Sequence, residues 1–340
     1  MNLFQKYLLE EYIEDYQHRL ISRREAFKVI ASIVGSVVVA NSILAACTPV
    51  DPETPEPLSM QPSPAFIPSP KTDSTSPTLQ ASADATVIPS PVDGTESLPQ
   101  ETVPHGTVAA DDPMVSAGTT EFPGEDTTLE GYLARPASNE PAPVILVCHE
   151  NRGLTPHIQD VTRRISKAGY VALAVDLLSR QGGTAALASG DVPGTLGNIS
   201  PDTFVKDFLA GWRWLQEQNF ALGERVGMTG FCFGGGVTWR VATQMSELKA
   251  AVPFYGPHPE VSDVPNIQAA VQAIYGERDT RINQGIPAIE AAMQENGKIY
   301  AKIIYPDCDH AFFNDTGSRY NPSAAQDAWK QLLAWFQRYV

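Results

Sequence analysis

Residues 227–236 read GMTGFCFGGG, and in this stretch Cys232 is flanked by glycines directly after an apolar run. The overlapping RVGMTGF has the apolar character of a buried strand, and GGGVTWRVATQM predicts a helix that begins at the glycines. Gly230 and Gly234 suit a sharp turn between a strand and a helix that pack closely together. The stretch therefore predicts a strand, a turn and a helix, with the Cys232 thiol at the helix N-terminus, where the helix dipole favours a thiolate.

Outward from this turn, from about residue 113, short apolar runs alternate with amphipathic segments. TLEGYLARP predicts an edge strand, and PAPVILVCHE and YVALAVDLL predict buried strands. Further predicted strands are KAAVPFYG, VQAIYGERD and KIYAKIIYP. The predicted helices include HIQDVTRRISKAGY, DTFVKDFLAGWRWLQEQ, PAIEAAMQENG and SAAQDAWKQLLAWFQRYV. Such alternation predicts an α/β fold, a mostly parallel sheet with helices on both faces, over residues 113–340.

A nucleophile between two glycines in a strand, turn and helix is typical of the α/β-hydrolase fold, in which an acid and then a histidine follow along the chain. Of six histidines, only His310, in YPDCDHAFF before the terminal helix, satisfies this order. Asp279, in YGERDTRI at a strand end, is the predicted acid. Asp307 and Asp309 are closer in sequence to His310, but their loop position suits capping or solvent contact better.

These residues imply a thiol-based acyl transfer. His310 takes the proton of Cys232, Asp279 orients the imidazole and stabilises its cation, and the thiolate attacks an ester carbonyl to give an acyl-enzyme. The oxyanion is predicted to accept hydrogen bonds from the backbone N–H groups of Phe233 and Asn151.

About residues 115–340 resemble the dienelactone hydrolases, which are α/β-hydrolases with a Cys, Asp and His triad. The resemblance lies in EGYLARP, HENRGL, GYVALAVDLLSR, GFCFGGG, FYG, YGERD and DHAFF. It implies hydrolysis of a lactone or related small ester, with no cofactor and no metal. It also implies that Glu150 contacts Cys232 and helps to activate it when substrate arrives; a carboxylate that only orders its loop is the alternative.

One position departs from the family pattern. The best-known members hold a substrate carboxylate with arginines, one of them four residues after the catalytic histidine, and here that position is Asn314. The sequence therefore does not predict selectivity for a carboxylated dienelactone. Arg180 and Arg319 are the nearest replacements in sequence, but both are expected to be solvated.

Two further cysteines lie near predicted strand ends. Cys148 ends a core strand and Cys308 lies just before His310, so both are expected near the active edge of the sheet. With four cysteines in 340 residues the chain has too few for a disulfide scaffold. Free buried thiols and a single disulfide both fit the sequence.

The N-terminal segment has the pattern of an export signal. Arg23, Arg24 and Lys28 precede residues 29–46, which contain no charge. The run ends in LAAC, which resembles the lipobox of bacterial lipoproteins, in which the cysteine, here Cys47, is acylated and becomes the mature N-terminus. The paired arginines resemble a twin-arginine signal as well. An uncleaved transmembrane helix is the alternative.

The tract between this signal and the domain is rich in Pro, Ser and Thr, and predicts a disordered tether because it cannot bury enough apolar surface to fold. The predicted organisation is a signal at 1–47, a linker at 48–112 and an α/β-hydrolase domain at 113–340. The formal net charge of −15 argues against a nucleic-acid partner. The sequence thus predicts an exported bacterial lipoprotein, anchored to the membrane by its lipid, with the catalytic domain outside the cytoplasm.

The alternative to an enzyme is a binding or redox module that keeps the hydrolase fold but does not turn over a substrate. The ordered Cys232, Asp279 and His310 argue against it, because a pure binding protein has no need of a nucleophile together with its base.

Overall fold

The computed structural model of the chain describes residues 1–47, 106–138 and 140–340. Its strands are β1 (Val115–Pro123), β2 (Thr128–Pro136), β3 (Ala142–Cys148), β4 (Val171–Val175), β5 (Ala221–Phe231), β6 (Ala250–Phe254), β7 (Ala270–Gly276) and β8 (Tyr300–Tyr305). Within these described residues they form one sheet in the order β1-β2-β4-β3-β5-β6-β7-β8. Neighbours from β4 to β8 are parallel, whereas β1 and β2 are antiparallel to their neighbours. The prediction that TLEGYLARP is an edge strand is wrong, because β2 pairs with both β1 and β4, and β1 forms the edge.

Helices cover this sheet. Strands β4, β6 and β7 are buried at every residue, as their continuous apolar runs predict for strands covered on both faces. The helices of the domain are α4 (Pro156–Lys167), α5 (Val192–Asn198), α6 (Pro201–Gln216), α7 (Phe233–Gln244), α8 (Thr280–Asn283), α9 (Ile286–Glu295) and α10 (Pro322–Tyr339). The predicted α/β class with a mostly parallel sheet is confirmed.

The N-terminal residues form three more helices: α1 (Leu3–Gln17), α2 (Arg23–Val34) and α3 (Val37–Ala46). α1 packs against α2, α5 and α7. Phe4 of α1 is fully buried, and its ring lies 5.6 Å from that of Phe204 and 4.8 Å from that of Phe233. The described part of the chain contains no helix that is both long and apolar enough to cross a membrane.

The described end of the predicted linker packs on the domain. The backbone N–H of Val108 donates to Asp160 Oδ1 at 2.7 Å, and its carbonyl accepts from Arg163 Nε at 2.6 Å. Asp112 pairs with Lys167 at 2.7 Å. Ordered packing on α4 therefore begins before residue 113. The rest of the predicted tether, 48–105, lies outside the described residues.

Candidate active site

Cys232 lies at the turn between β5 and α7, in a strained backbone conformation. Its φ is 59° and its ψ is −122°, a region that residues other than glycine rarely adopt. The turn is held on both sides, since the Cys232 N–H donates to the Phe254 carbonyl at 3.1 Å and the Cys232 carbonyl accepts from Gly235 N–H at 2.9 Å. The strained turn presents the thiol above the carboxyl ends of the parallel strands.

The glycines beside Cys232 are required by close approach of the backbone. A Cβ at Gly230 would lie 2.2 Å from the Gly234 carbonyl oxygen, and one at Gly234 would lie 2.4 Å from the His149 carbonyl oxygen. Both distances are far below van der Waals contact. The glycine pattern therefore reflects the packing of β5, α7 and the end of β3 around the thiol.

The structure brings the predicted acid and base together. His310, in the loop after β8, has Nδ1 2.6 Å from Asp279 Oδ2, and Asp279 follows β7. The sulfur of Cys232 lies within 4.8 Å of an imidazole nitrogen of His310. Asp307 and Asp309 instead face Arg278 on the surface, with side chains 81% and 46% exposed. Cys232, His310 and Asp279 thus have the arrangement of a nucleophile, its base and an orienting acid.

Electrostatics in the site favour a charged His310 beside a charged Asp279. Burial opposes the His310 cation, but the negative charge and hydrogen bond of Asp279 outweigh burial and raise the pKa of His310. Burial likewise opposes the Asp279 carboxylate, and the charge and hydrogen bond of His310 lower its pKa all the same. The pair is therefore an ion pair whenever His310 has accepted a proton.

The thiol of Cys232, in contrast, is held in its neutral form. Burial and the nearby carboxylates of Glu11 and Glu150 raise its pKa well above the usual value, although hydrogen bonds from Tyr7 and from the Phe233 backbone oppose the rise. The thiol is therefore not a preformed thiolate in this conformation, despite its place at the N-terminus of α7.

Glu150 and Asn151 follow β3 at the same edge of the sheet, and both are 7% exposed. Glu150 Oε2 accepts a hydrogen bond from Asn314 Nδ2 at 2.7 Å. Burial raises the pKa of Glu150. The residue that departs from the family pattern, Asn314, therefore contacts the carboxylate predicted to assist Cys232.

Sequence reasoning missed two residues of the site, Tyr7 and Glu11 of α1. The Tyr7 hydroxyl lies 3.2 Å from Cys232 Sγ and 3.4 Å from His310 Nε2. Glu11 Oε1 lies 3.4 Å from Cys232 Sγ and accepts from Asn151 Nδ2 at 3.0 Å. The available signal was their spacing of four residues on one helix face, within a segment that the sequence predicts to be an export signal.

The expectation that Arg180 and Arg319 are solvated is wrong. Arg180 Nη1 bonds the buried Asp207 at 2.7 Å, and the Arg180 side chain is 19% exposed. Arg319 pairs with Asp15 of α1 at 3.2 Å. Each guanidinium is held by a carboxylate distant in sequence, a contact that local sequence pattern does not reveal.

The other cysteines of the described chain carry no disulfide. Cys148 and Cys308 are free thiols, 0% and 1% exposed. Burial raises the pKa of both. Buried neutral thiols of this kind behave as small apolar side chains.

Glu11, Cys232 and His310 are also the three groups, among the described residues, whose donor atoms lie close enough to share a metal ion, all within 4.8 Å of one another. Thiolate, imidazole and carboxylate are ligands that suit Zn²⁺. Two of the three are the predicted nucleophile and base, so acyl transfer accounts for the pair without a metal.

Comparison with known proteins identifies the family. The Dienelactone hydrolase family model matches residues 129–340. A Methylorubrum extorquens protein provisionally named a carboxymethylenebutenolidase is 34% identical over 250 residues, which cover 68% of this chain and 84% of the relative. A Salmonella typhimurium protein with the same provisional name is 33% identical over 246 residues, which cover 67% of this chain and 89% of the relative.

A solved structure agrees with these relatives. It is a Klebsiella pneumoniae protein described provisionally as a dienelactone hydrolase, with a TM-score of 0.62 and 29% identity, and the match covers 66% of this chain and 99% of that one. The chain belongs to the dienelactone hydrolase family and is a hydrolase of carboxylic esters.

Proposed function

We propose that the protein hydrolyses a lactone or small carboxylic ester through a Cys232, His310 and Asp279 triad and a thioester acyl-enzyme. The observation that carries this proposal is the 2.6 Å contact of His310 Nδ1 with Asp279, with the strained Cys232 beside the imidazole. The provisional name of the relatives, carboxymethylenebutenolidase, supports a lactone as the substrate class.

The first half of the reaction forms the acyl-enzyme. His310 takes the thiol proton through Nε2 while its Nδ1–H donates to Asp279, and Sγ attacks the carbonyl carbon. The oxyanion accepts hydrogen bonds from the backbone N–H groups of Phe233 and Asn151. The intermediate collapses as the C–O bond of the ester breaks, and His310 returns the proton to the leaving alkoxide; in a lactone this oxygen stays attached to the acyl chain.

The second half releases the acid. A water molecule gives a proton to His310 and attacks the thioester carbonyl, and the second tetrahedral intermediate expels the Cys232 thiolate, which regains its proton. Glu150 is proposed to act before the first step: its charge contributes to the raised pKa of Cys232, and a change in its partner on substrate binding would alter the acidity of the thiol. Asn314 holds Glu150 in the resting arrangement.

The proposal is tested by incubation with p-nitrophenyl acetate followed by denaturing mass spectrometry, in the parent and in Asp15→Arg, a variant that loses the ion pair between α1 and Arg319. We expect an acetyl group on the peptide that contains Cys232, because the thioester is an obligatory intermediate, and the adduct should be present while substrate remains and be lost after substrate is exhausted. A turnover of the ester with no acetylated Cys232 at any quench time would contradict the thioester route. A binding or redox module would give neither adduct nor p-nitrophenol.

We further propose that the protein is an exported bacterial lipoprotein anchored through Cys47. The support is the LAAC sequence, and α3, which ends next to Cys47, exposes Val37 and Val38 by 62% and 72%. The Cys47→Ala variant should lose its lipid and shift from the membrane to the soluble fraction, measured by fractionation and by labelled-palmitate incorporation. Cys308→Ala is the matched control and should fractionate as the parent does. A Cys47→Ala protein that matures and fractionates like the parent would refute the anchor.

A further inference from the structure

Helix α1 fills the space in front of the nucleophile. Both carboxylate oxygens of Glu11 lie near Cys232 Sγ, at 3.4 and 3.6 Å, and Tyr7 Oη lies 3.2 Å from the same sulfur. As a result Cys232 is 3% exposed and His310 is 6% exposed. An ester carbonyl has to reach van der Waals contact with Sγ, so substrate and α1 cannot occupy this position together.

The contacts of Glu11 are those that the acid product of an ester hydrolase would make. Its carboxylate lies beside the thiol, 3.9 Å from His310 Nε2, and accepts a hydrogen bond from Asn151 in the loop after β3. That loop is the one proposed to hold the oxyanion. A carboxylate from the chain itself thus occupies the place where the carboxylate of the product forms.

From this geometry we infer that α1 is an intramolecular inhibitor of the hydrolase, with Glu11 as a product mimic in the acyl site. The inference rests on the proposed function and adds its regulation. Glu11 acts in two ways, because it excludes substrate and because its negative charge disfavours the Cys232 thiolate. The second effect agrees with the raised pKa of the thiol, to which Glu11 contributes.

Several contacts that hold α1 on the domain do not involve the triad residues. Glu14 pairs with Arg281 at 2.9 Å, and Asp15 pairs with Arg319 at 3.2 Å. The guanidinium of Arg281 also lies 4.7 Å from the centre of the Tyr7 ring. Ion pairs with partly exposed side chains contribute modestly to stability, whereas the buried Phe4 and Leu8 hold α1 by apolar contact. Reversing the charge at an ion pair therefore weakens the docking of α1 without removing that apolar contact.

The inhibitor lies outside the part of the chain that the family shares, which is residues 129–340. The covalent connection between α1 and the domain runs through Cys47. Processing before Cys47, as proposed for a lipoprotein, would separate α1, α2 and α3 from the rest of the chain. A single cleavage would then remove both the signal and the inhibitor. Until that cleavage during export, α1 would keep Cys232 covered.

Charge reversal in the full-length chain tests the inference without altering the triad. In Glu14→Arg and Asp15→Arg, the new arginine faces Arg281 or Arg319 and repels α1 from the domain. The measured quantity is the rate at which iodoacetamide alkylates Cys232, followed by peptide mass spectrometry. We expect each variant to react at least about tenfold faster than the parent, since loss of an ion pair plus repulsion shifts the closed helix toward the open one.

Glu10→Arg is the matched control. Glu10 lies on the same helix, and its carboxylate pairs with Lys6 of α1 at 3.8 Å, with 44% of the side chain exposed. This variant should be alkylated at the parent rate. Combining Asp15→Arg with Arg319→Asp restores an opposite-charge pair and should restore slow alkylation. Cys148 and Cys308 report on folding, because both stay unreactive wherever the domain is intact.

The outcomes separate this inference from the proposed function. Equal and rapid alkylation of Cys232 in the parent and in both charge-reversed variants would overturn inhibition by α1, whatever the ester activity. Faster alkylation in the variants supports inhibition by α1. If these variants are alkylated faster but do not hydrolyse p-nitrophenyl acetate, the proposed ester hydrolysis is refuted and the inhibition is not. Parallel rises in alkylation and ester turnover would support both.

Discussion

Replacement of Cys232 with alanine should lower ester turnover by about 10⁴-fold or more and abolish the acyl-enzyme, because the atom that forms the thioester is gone. The fold should survive. Alanine keeps the Cβ and removes one sulfur atom, and the Cys232 backbone hydrogen bonds to Phe254 and Gly235 do not involve the side chain. The measurements are kcat for p-nitrophenyl acetate and the melting temperature, both made in the parent and in the Asp15→Arg background, where α1 is expected to be displaced.

Serine at position 232 is a sharper test. A hydroxyl is far less acidic than a thiol of pKa about 8.5, and it needs stronger assistance from His310 to become a nucleophile. Cys232→Ser should therefore be folded and strongly slowed. Cys308→Ala, the removal of another buried thiol, serves as the control and should keep kcat close to that of the parent. Undiminished turnover in Cys232→Ala, with contaminating esterase excluded, would refute Cys232 as the nucleophile.

Chain order was enough to nominate the residues of the proposed triad, because the α/β-hydrolase fold constrains the order of nucleophile, acid and histidine along the chain. A buried strand followed by G-x-C-x-G predicted the turn at Cys232, and the requirement for acid and then histidine left His310 alone among six histidines. The strands were predictable for a related reason. The apolar runs of β4, β6 and β7 are continuous, as strands covered on both faces require, and these three strands are buried throughout.

The role of α1 was not predictable in the same way. Tyr7 and Cys232 are 225 positions apart, and their contact depends on how α1 docks against the domain rather than on any local pattern. The same holds for Asp15 with Arg319, separated by 304 positions. An apolar segment after basic residues predicts export whether or not it also packs on the domain, so the sequence could not distinguish a signal alone from a signal that closes the site.

Helix α5 shows a further limit of prediction from the local sequence. The segment VPGTLGN contains Pro193 and two glycines, and its sequence favours a loop. Yet it forms a short helix, and its C-terminal end is bonded by Asn2, the N-cap of α1, through the Gly197 carbonyl, and by Gln5 of α1 through the Asn198 side chain. Tertiary contacts there outweigh local propensity.

Asp279→Asn should lower kcat by about 10⁴-fold, as removal of the orienting carboxylate does in triads generally, with little loss of stability. The change is isosteric, and an asparagine oxygen can still accept from the Ile282 N–H that Asp279 Oδ1 binds at the start of α8. His310 loses the carboxylate that holds a proton on Nδ1, so the neutral imidazole is free to carry its proton on Nε2, where it cannot act as a base toward Cys232.

In Asp279→Asn we also expect the pH dependence of turnover to shift in a definite direction. Turnover requires neutral His310, so it rises as the pH passes upward through the pKa of His310. Asp279 raises that pKa, and its replacement by a neutral amide therefore moves the rise to lower pH. A profile of kcat/KM against pH in the Asp15→Arg background measures the shift, and Asp309→Asn, on the exposed loop, should leave both rate and profile unchanged. If Asp309→Asn is impaired while Asp279→Asn matches the parent, the acid of the triad is Asp309, and the contact of 2.6 Å between His310 and Asp279 is structural only.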